Sequence, residues 1–184
     1  MSSSNEVSEG KRIPMPPIEI ISSDGEVSLK TYTLEDAGEA FVLIDKNREF
    51  LSQYGENTPS KYPDLESFRN RILHPDPKKP GRLRFAIRNK EGVIVGSINL
   101  TPQKDDPQMG EIGYYLGEEF QHHGYVTRAI AALSDFAFRQ RDYTSLFGNV
   151  HPENKPSLDA LGRAGYLDSG VLNKEGRKIL TKVK

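Results

Sequence analysis

The chain has 184 residues, 35% hydrophobic and 28% charged, with a formal net charge of −1. That is the length of one domain and the composition of a globular protein with one moderate core, and so balanced a charge argues against nucleic acid or an anionic membrane as partner. With no cysteine, disulfides, thiolate catalysis and cysteine-ligated zinc are excluded.

Residues 1–17, which end in Ile13-Pro-Met-Pro-Pro17, lack the apolar core of a signal peptide. Their serine, glutamate and proline cannot bury enough apolar surface to offset ordering entropy, so a flexible tail is expected ahead of a single domain at 18–184. No apolar run approaches the roughly 18 residues of a membrane helix. The cytoplasm is the default compartment.

Val27-Ser-Leu-Lys-Thr-Tyr32 alternates with period two and reads as a strand. Thr33-Leu-Glu-Asp36 resembles a capping box before a helix that puts Ala37, Phe41 and Ile44 on one face. Asp64 caps a second helix carrying Leu65, Phe68 and Ile72, and the Pro/Gly-rich stretch from His74 to Gly81 stops it. Arg82 to Arg88 and Val93 to Leu100, joined by the turn Asn89-Lys-Glu-Gly92, form a β-hairpin. Gln103 to Met109 is a polar loop, and Glu111-Ile-Gly-Tyr-Tyr-Leu-Gly117 another strand.

The longest helix runs from about Gly124 to Arg139, with Val126, Ile130, Leu133 and Ala137 at helical spacing. Ser145 to Val150 is a strand. Pro152 to Ala164 is a helix ended by Gly165 at C′. Tyr166 to Val171 and Lys178 to Val183 flank a turn at Asn173–Gly176. The strand–helix–strand crossover over 111–150 allows those two strands to be parallel, while several other neighbours must be antiparallel. The fold class is α+β with a mixed sheet.

Phe120-Gln-His-His-Gly-Tyr-Val-Thr127 lies where a strand meets a helix N-terminus, so free N–H groups and the positive dipole end make an anion site there. Gly124 permits close approach of a ligand. Arg128 opposes the dipole in the first turn, which becomes reasonable if a phosphate occupies that end. On the loop alone, a glycine serving the turn and an arginine facing water are the better explanation.

Four ordered motifs widen the context: Glu111-Ile-Gly-Tyr-Tyr-Leu-Gly117, Gln121-His-His-Gly-Tyr-Val-Thr127, His151-Pro-Glu-Asn-Lys-Pro-Ser157 and Leu161-Gly-Arg-Ala-Gly-Tyr166. With them the chain resembles the GNAT acetyltransferases, specifically the ribosomal-protein N-acetyltransferase (RimJ/RimL-like) branch. The resemblance extends back to Leu34-Glu-Asp-Ala37 and Asn47-Arg-Glu49 and covers about residues 27–184. It implies a mixed, mostly antiparallel central sheet flanked by helices, acetyl-CoA as co-substrate, and a primary amine as acceptor. The family's pyrophosphate loop usually reads Gln/Arg-x-x-Gly-x-Gly/Ala. Gln121 and Gly124 match, Val126 replaces the small final residue, and His122-His123 stand for the common Gly-Lys.

By this resemblance, the amides of His122, His123, Gly124, Tyr125, Val126 and Thr127 hold the CoA pyrophosphate, beside Gln121 and Arg128. The strand at Tyr114, Tyr115 and Leu116 pairs with the pantetheine arm and offers an amide to the oxyanion of the thioester. Asn154 and Ser157, capping residues by composition, acquire second roles: Asn154 binds pantetheine, and Ser157 protonates the departing thiolate. A tyrosine is the rival proton donor.

Glu111 reads either as a solvated strand-end carboxylate or as the general base that frees the amine's lone pair. An α-amine with a pKa near 8 needs less help than a lysine near 10.4, which favours a protein or peptide N-terminus as acceptor. A small amine such as a polyamine, amino acid or aminoglycoside is the alternative, in a pocket from residues 50–75 where Tyr54, Glu56, Asp64 and Glu66 attract a cation. A non-catalytic acyl-CoA binder is the third reading. Adjacent His122 and His123 diverge and no other ligands converge on them, so no metal site is expected. Lys78, Lys79, Arg82 and Arg84 read as a solvated basic face, with the CoA 3′-phosphate as an alternative partner. A homodimer is left open.

Overall fold

A computed structural model describes residues 17–55 and 57–184. The strands are β1 (Glu19–Ile21), β2 (Val27–Thr31), β3 (Leu83–Asn89), β4 (Ile94–Pro102), β5 (Met109–Leu116), β6 (Ser145–Val150), β7 (Leu167–Leu172) and β8 (Lys178–Val183). The helices are α1 (Ala37–Lys46), α2 (Arg48–Ser52), α3 (Thr58–Lys61), α4 (Leu65–Leu73), α5 (Tyr125–Gln140) and α6 (Lys155–Arg163). One sheet runs β1-β2-β3-β4-β5-β6-β8-β7. Every neighbouring pair is antiparallel except β5 and β6, which are parallel, as the crossover allows. The α+β reading with a mixed, mostly antiparallel sheet therefore holds.

Each face of the sheet buries its own cluster. Beneath α5 and α6 lie Leu29, Phe85, Ile98, Leu100, Ile130, Leu133, Leu146 and Leu161, all fully buried. On the other face α1 and α4 cover Ala86 and Ile94 with Ile44 and Phe68. Alternation along β5 divides its side chains between the faces: Tyr114 packs with the first cluster and Tyr115 with the second.

The predicted helix starts form as read. Thr33 N–H and Oγ1 both donate to Asp36 Oδ2, at 2.7 and 3.2 Å. Asp64 Oδ1 accepts the Ser67 N–H at 2.7 Å. Gly165 has φ +86°, its N–H bonds Gly162 C=O, and Tyr166 N–H bonds Leu161 C=O, the Schellman pattern that ends α6.

Several elements escape the pattern reading. β1 is three residues on the sheet edge, too short to show a period. α2 and α3 are five and four residues long with no amphipathic stripe. They are held by the Arg48 guanidinium, which donates to the carbonyls of Pro59, Tyr62 and Pro63 at 3.1–3.2 Å. Gly124 is the N-cap of α5 rather than its first residue, and Asn154 caps α6, which begins later than read. Arg84 is a correction. It lies 5.4–5.6 Å from the rings of Tyr32, Tyr62 and Phe68, a cation–π position on the α1–α4 face rather than in solvent.

Candidate active site

β5 and β6 are in register only from Met109–Glu111 against Ser145–Phe147. Beyond Glu111 the ladder stops and the sheet opens. The Gly117 N–H bonds Val95 C=O, so alternation gives the odd-numbered residues of β5 to β4. The N–H and C=O groups of Tyr114 and Leu116 therefore face the opening, whereas the backbone of Tyr115 is committed to Ser97 on β4. Two cavities flank this strand, of about 160 and 230 Å³, and share Tyr114, Asn154 and Ser157 in their walls.

Glu111 stands at the vertex of the opening. Its Oε1 accepts a hydrogen bond from Asn149 Nδ2 at 2.9 Å, and it lines the larger cavity with Asn149, Glu175 and Arg177. Across the same cavity the hydroxyls of Tyr114 and Ser157 lie 2.6 Å apart. Desolvation pushes the Tyr114 phenol up to about 12, against the opposing pull of the Ser157 hydrogen bond. Both hydroxyls thus keep their protons at neutral pH. Asn154 Oδ1 accepts the Ser157 N–H at 3.2 Å, so the α6 cap uses the backbone of Ser157 and leaves its hydroxyl for the cleft.

The loop before α5 forms a concave wall. His122 and Gly124 both take the left-handed conformation, φ +66° and +74°. No side chain caps the helix, and its first hydrogen bond runs from Arg128 N–H to Gly124 C=O. The N–H groups of Tyr125, Val126 and Thr127 are left without intrahelical partners. They face a cavity lined by Leu116, Gln121, His122, Gly124, Thr127 and Arg163. Val126 packs on the main core and borders both this cavity and the smaller one at Tyr114. His123 is exposed, stacks on Tyr125 with centroids 5.4 Å apart, and donates from Nδ1 to Gln121 C=O at 2.8 Å.

Arg128 has a partner that the sequence reading did not foresee. Its Nε donates to Asp24 Oδ2 at 2.6 Å and its Nη1 to His123 C=O at 3.1 Å. The guanidinium, with Ser22 and the Glu26 N–H adding hydrogen bonds, holds the Asp24 carboxyl down at about 2. The carboxylate that offsets a cation in the first turn is thus supplied within the chain.

Phe50, Leu51, Gln53, Tyr54 and Thr58 close the smaller cavity over Tyr114, so the 50–75 segment does contribute a wall. Asp64 and Glu66 do not: one is spent as the α4 cap, the other lies exposed in that helix's first turn. Glu56 lies outside the described residues. Tyr54 holds φ +58°, its ring 5.6 Å from that of His151. Sequence reasoning missed Asn149, whose only signal is one amide within an apolar strand. Ser157 and its rival Tyr114 prove to be hydrogen-bonded to one another, a contact that no sequence spacing signals.

A parallel pair opening beside an uncapped helix N-terminus leaves a free strand edge and free amides side by side. A profile of the acetyltransferase (GNAT) domain matches residues 26–167. The chain belongs to the GNAT acetyltransferases. The "Probable N-acetyltransferase YjcK" of Bacillus subtilis is 25% identical over 170 residues, 90% of this chain and 86% of the relative. The crystal structure of the microcin C7 self-immunity acetyltransferase MccE, in complex with acetyl-CoA and AMP, superposes with TM-score 0.75 at 25% identity, covering 86% of this chain and 93% of that one. The ribosomal L7/L12 α-N-protein acetyltransferase RimL, in complex with CoA, shares the fold with TM-score 0.77 at 18% identity, over 90% and 98% of the two chains. This GNAT protein is an acetyl-CoA-dependent N-acetyltransferase. Among the described residues no helix is long and apolar enough to cross a membrane.

Proposed function

We propose that this acetyltransferase, with residues 18–184 as its catalytic domain, acetylates the N-terminal α-amine of a protein or peptide by direct attack on the thioester. The observation that carries the reading is the shape of the approach to Glu111. The cavity there shares Glu175 and Arg177 with an outer mouth of about 620 Å³, lined also by Gln53, Tyr54, His151 and Glu153. A mouth this broad suits a chain end better than a compact polycation, and Arg177 stands among its carboxylates Glu111, Glu153 and Glu175.

In this reading Glu111 takes a proton from the ammonium, and the neutral amine attacks the thioester carbonyl. A main-chain N–H of β5 on the open side, from Tyr114 or Leu116, meets the oxyanion. Ser157, its hydroxyl held by Tyr114, protonates the departing thiolate and is reprotonated through solvent by the second proton that the nitrogen sheds as the amide forms. The amides of the loop from His122 to Thr127 bind the pyrophosphate, and Asn154 faces the pantetheine. A small-amine acceptor is the second reading, favoured by the 25% likeness to MccE, which was crystallised with AMP as well as acetyl-CoA.

Thiol release from acetyl-CoA tests the acceptor, with a tetrapeptide bearing a free α-amine, the same peptide N-acetylated and carrying a lysine, spermidine, and kanamycin. The free α-amine should exceed each of the others in kcat/KM by roughly tenfold or more. Faster turnover of spermidine or kanamycin would replace the proposal with the second reading. Acetyl-CoA binding with no turnover of any amine would leave a cofactor binder.

The loop assignment makes a separate prediction. A Cβ at Gly124 would lie 2.5 Å from Arg128 Nη1, the movable end of a long side chain. Gly124→Asp should therefore leave the fold intact, aspartate being among the residues that tolerate the left-handed region, while setting a carboxylate where phosphate binds. Calorimetry should show acetyl-CoA affinity reduced by roughly tenfold or more, about 1.4 kcal/mol. Unchanged affinity would move the pyrophosphate elsewhere.

A further inference from the structure

Asn149 lies outside every motif that carries the family likeness, yet it makes the one hydrogen bond to the Glu111 carboxylate among the described residues. Which end of its amide faces Glu111 is fixed by a third residue. Asn173, at the start of the β7–β8 turn, accepts the N–H groups of Glu175 and Arg177 on Oδ1, both at 2.9 Å. Two N–H donors on one atom identify it as the oxygen, so the Asn173 amide must present its NH₂ outward. That group donates to Asn149 Oδ1 at 3.4 Å. Asn149 Oδ1 is thereby engaged, and its NH₂ is turned onto Glu111 Oε1 at 2.9 Å. The polarity of the chain is set at the turn and delivered to the carboxylate.

The backbone supports the same arrangement. Glu111 is the last residue of β5 registered with β6, and Asn149 lies two residues beyond its partner Phe147, on the same face of the sheet. Asn149 thus spans the start of the opening just where the ladder can no longer hold Glu111 in place. Glu111, Asn149, Glu175 and Arg177 all border one cavity.

We infer that Asn149 is a positioning residue for the reaction, oriented by Asn173. It fixes Oε1 of Glu111 so that Oε2, which accepts no hydrogen bond from the described residues, is presented to the acceptor ammonium. The inference rests on Glu111 being the base. A carboxylate free to rotate about its terminal torsions would meet the amine in the productive geometry only part of the time. Asn149 touches no reacting atom, so its effect should run wholly through Glu111.

The test is a double-mutant cycle on the full chain, read as kcat/KM with acetyl-CoA and whichever amine of the panel above the wild type turns over fastest. Asn149→Ala should lower kcat/KM by roughly tenfold in the wild-type background and have almost no effect in Glu111→Gln. Asn173→Asp keeps an oxygen for the two turn N–H groups but removes the donor to Asn149. It should reproduce the loss at an unchanged melting temperature and have no further effect in Asn149→Ala. A loss from Asn149→Ala that persists undiminished in Glu111→Gln, or no loss at all, would overturn the inference while leaving the base assignment intact. Wild-type activity in Glu111→Gln itself would overturn the base assignment, and this inference with it.

Discussion

Glu111→Gln is expected to lower kcat/KM by roughly 10²–10⁴-fold near neutral pH, the range of a lost general base. The substitution keeps the size of the side chain and an oxygen for Asn149 Nδ2, so the geometry at the vertex of the opening survives while basicity does not. The deficit has a pH signature that depends on the acceptor. An α-amine with an unperturbed pKa of about 7.7–8.0 is mostly protonated at pH 6.5 and mostly neutral at pH 9.5. The work left for a base therefore shrinks as pH rises, and the ratio of wild-type to mutant rate should fall with it. Acetyl-CoA affinity should not change, because the loop proposed to bind the cofactor lies at the other end of β5. A ratio near one at every pH would exclude Glu111 from catalysis. A large ratio that stays flat would keep it in the site as a positioning group and exclude it as the base.

The second large effect is expected at Ser157. Ser157→Ala removes the hydroxyl 2.6 Å from Tyr114 but preserves the cap of α6, since Asn154 accepts the backbone N–H of residue 157. kcat should fall by roughly 10²–10⁴-fold, with a stability loss near 1 kcal/mol from the one hydrogen bond. Tyr114→Phe separates the two hydroxyls. If Ser157 is the donor, the phenylalanine variant retains most of its turnover; if Tyr114 is the donor, it is the more damaged of the pair. Because the Tyr114 phenol is raised to about 12, its ionisation should produce no alkaline fall in kcat across the same pH range. A stability loss from Ser157→Ala with intact turnover would confine the residue to structure.

Much of the fold around the candidate site was legible in the sequence because its parts are local. The helix caps at Thr33 and Asp64 and the C′ glycine at Gly165 are each decided within a few residues and form as read, and the start of α5 is off by one residue, with Gly124 as its N-cap. One crossover left β5 and β6 able to pair in parallel, and they do. What stayed hidden depends on residues far apart in the chain. The Ser157–Tyr114 contact spans 43 positions, the Arg128–Asp24 pair 104 and the Asn149–Glu111 bond 38. No spacing rule announces such contacts. Arg84 shows the opposite error: a basic cluster in the sequence looks solvated, but alternation turned this arginine onto three aromatic rings. α2 and α3 were missed because a single guanidinium, not a pattern of apolar residues, holds the chain there.

The acetyl group is proposed to transfer in the opening between β5 and β6, with Glu111 on one side of the thioester and the Ser157–Tyr114 pair at its sulfur. Electron density from crystals grown with acetyl-CoA tests it most directly. Pyrophosphate should lie on the amides of the loop ending at Thr127, with pantetheine hydrogen-bonded to the main chain of Tyr114 and Leu116. The thioester sulfur should lie within hydrogen-bonding reach of Ser157 Oγ, with its carbonyl facing the cavity that holds Glu111. Density placing the thioester outside this opening, or the sulfur turned away from both hydroxyls, would contradict it.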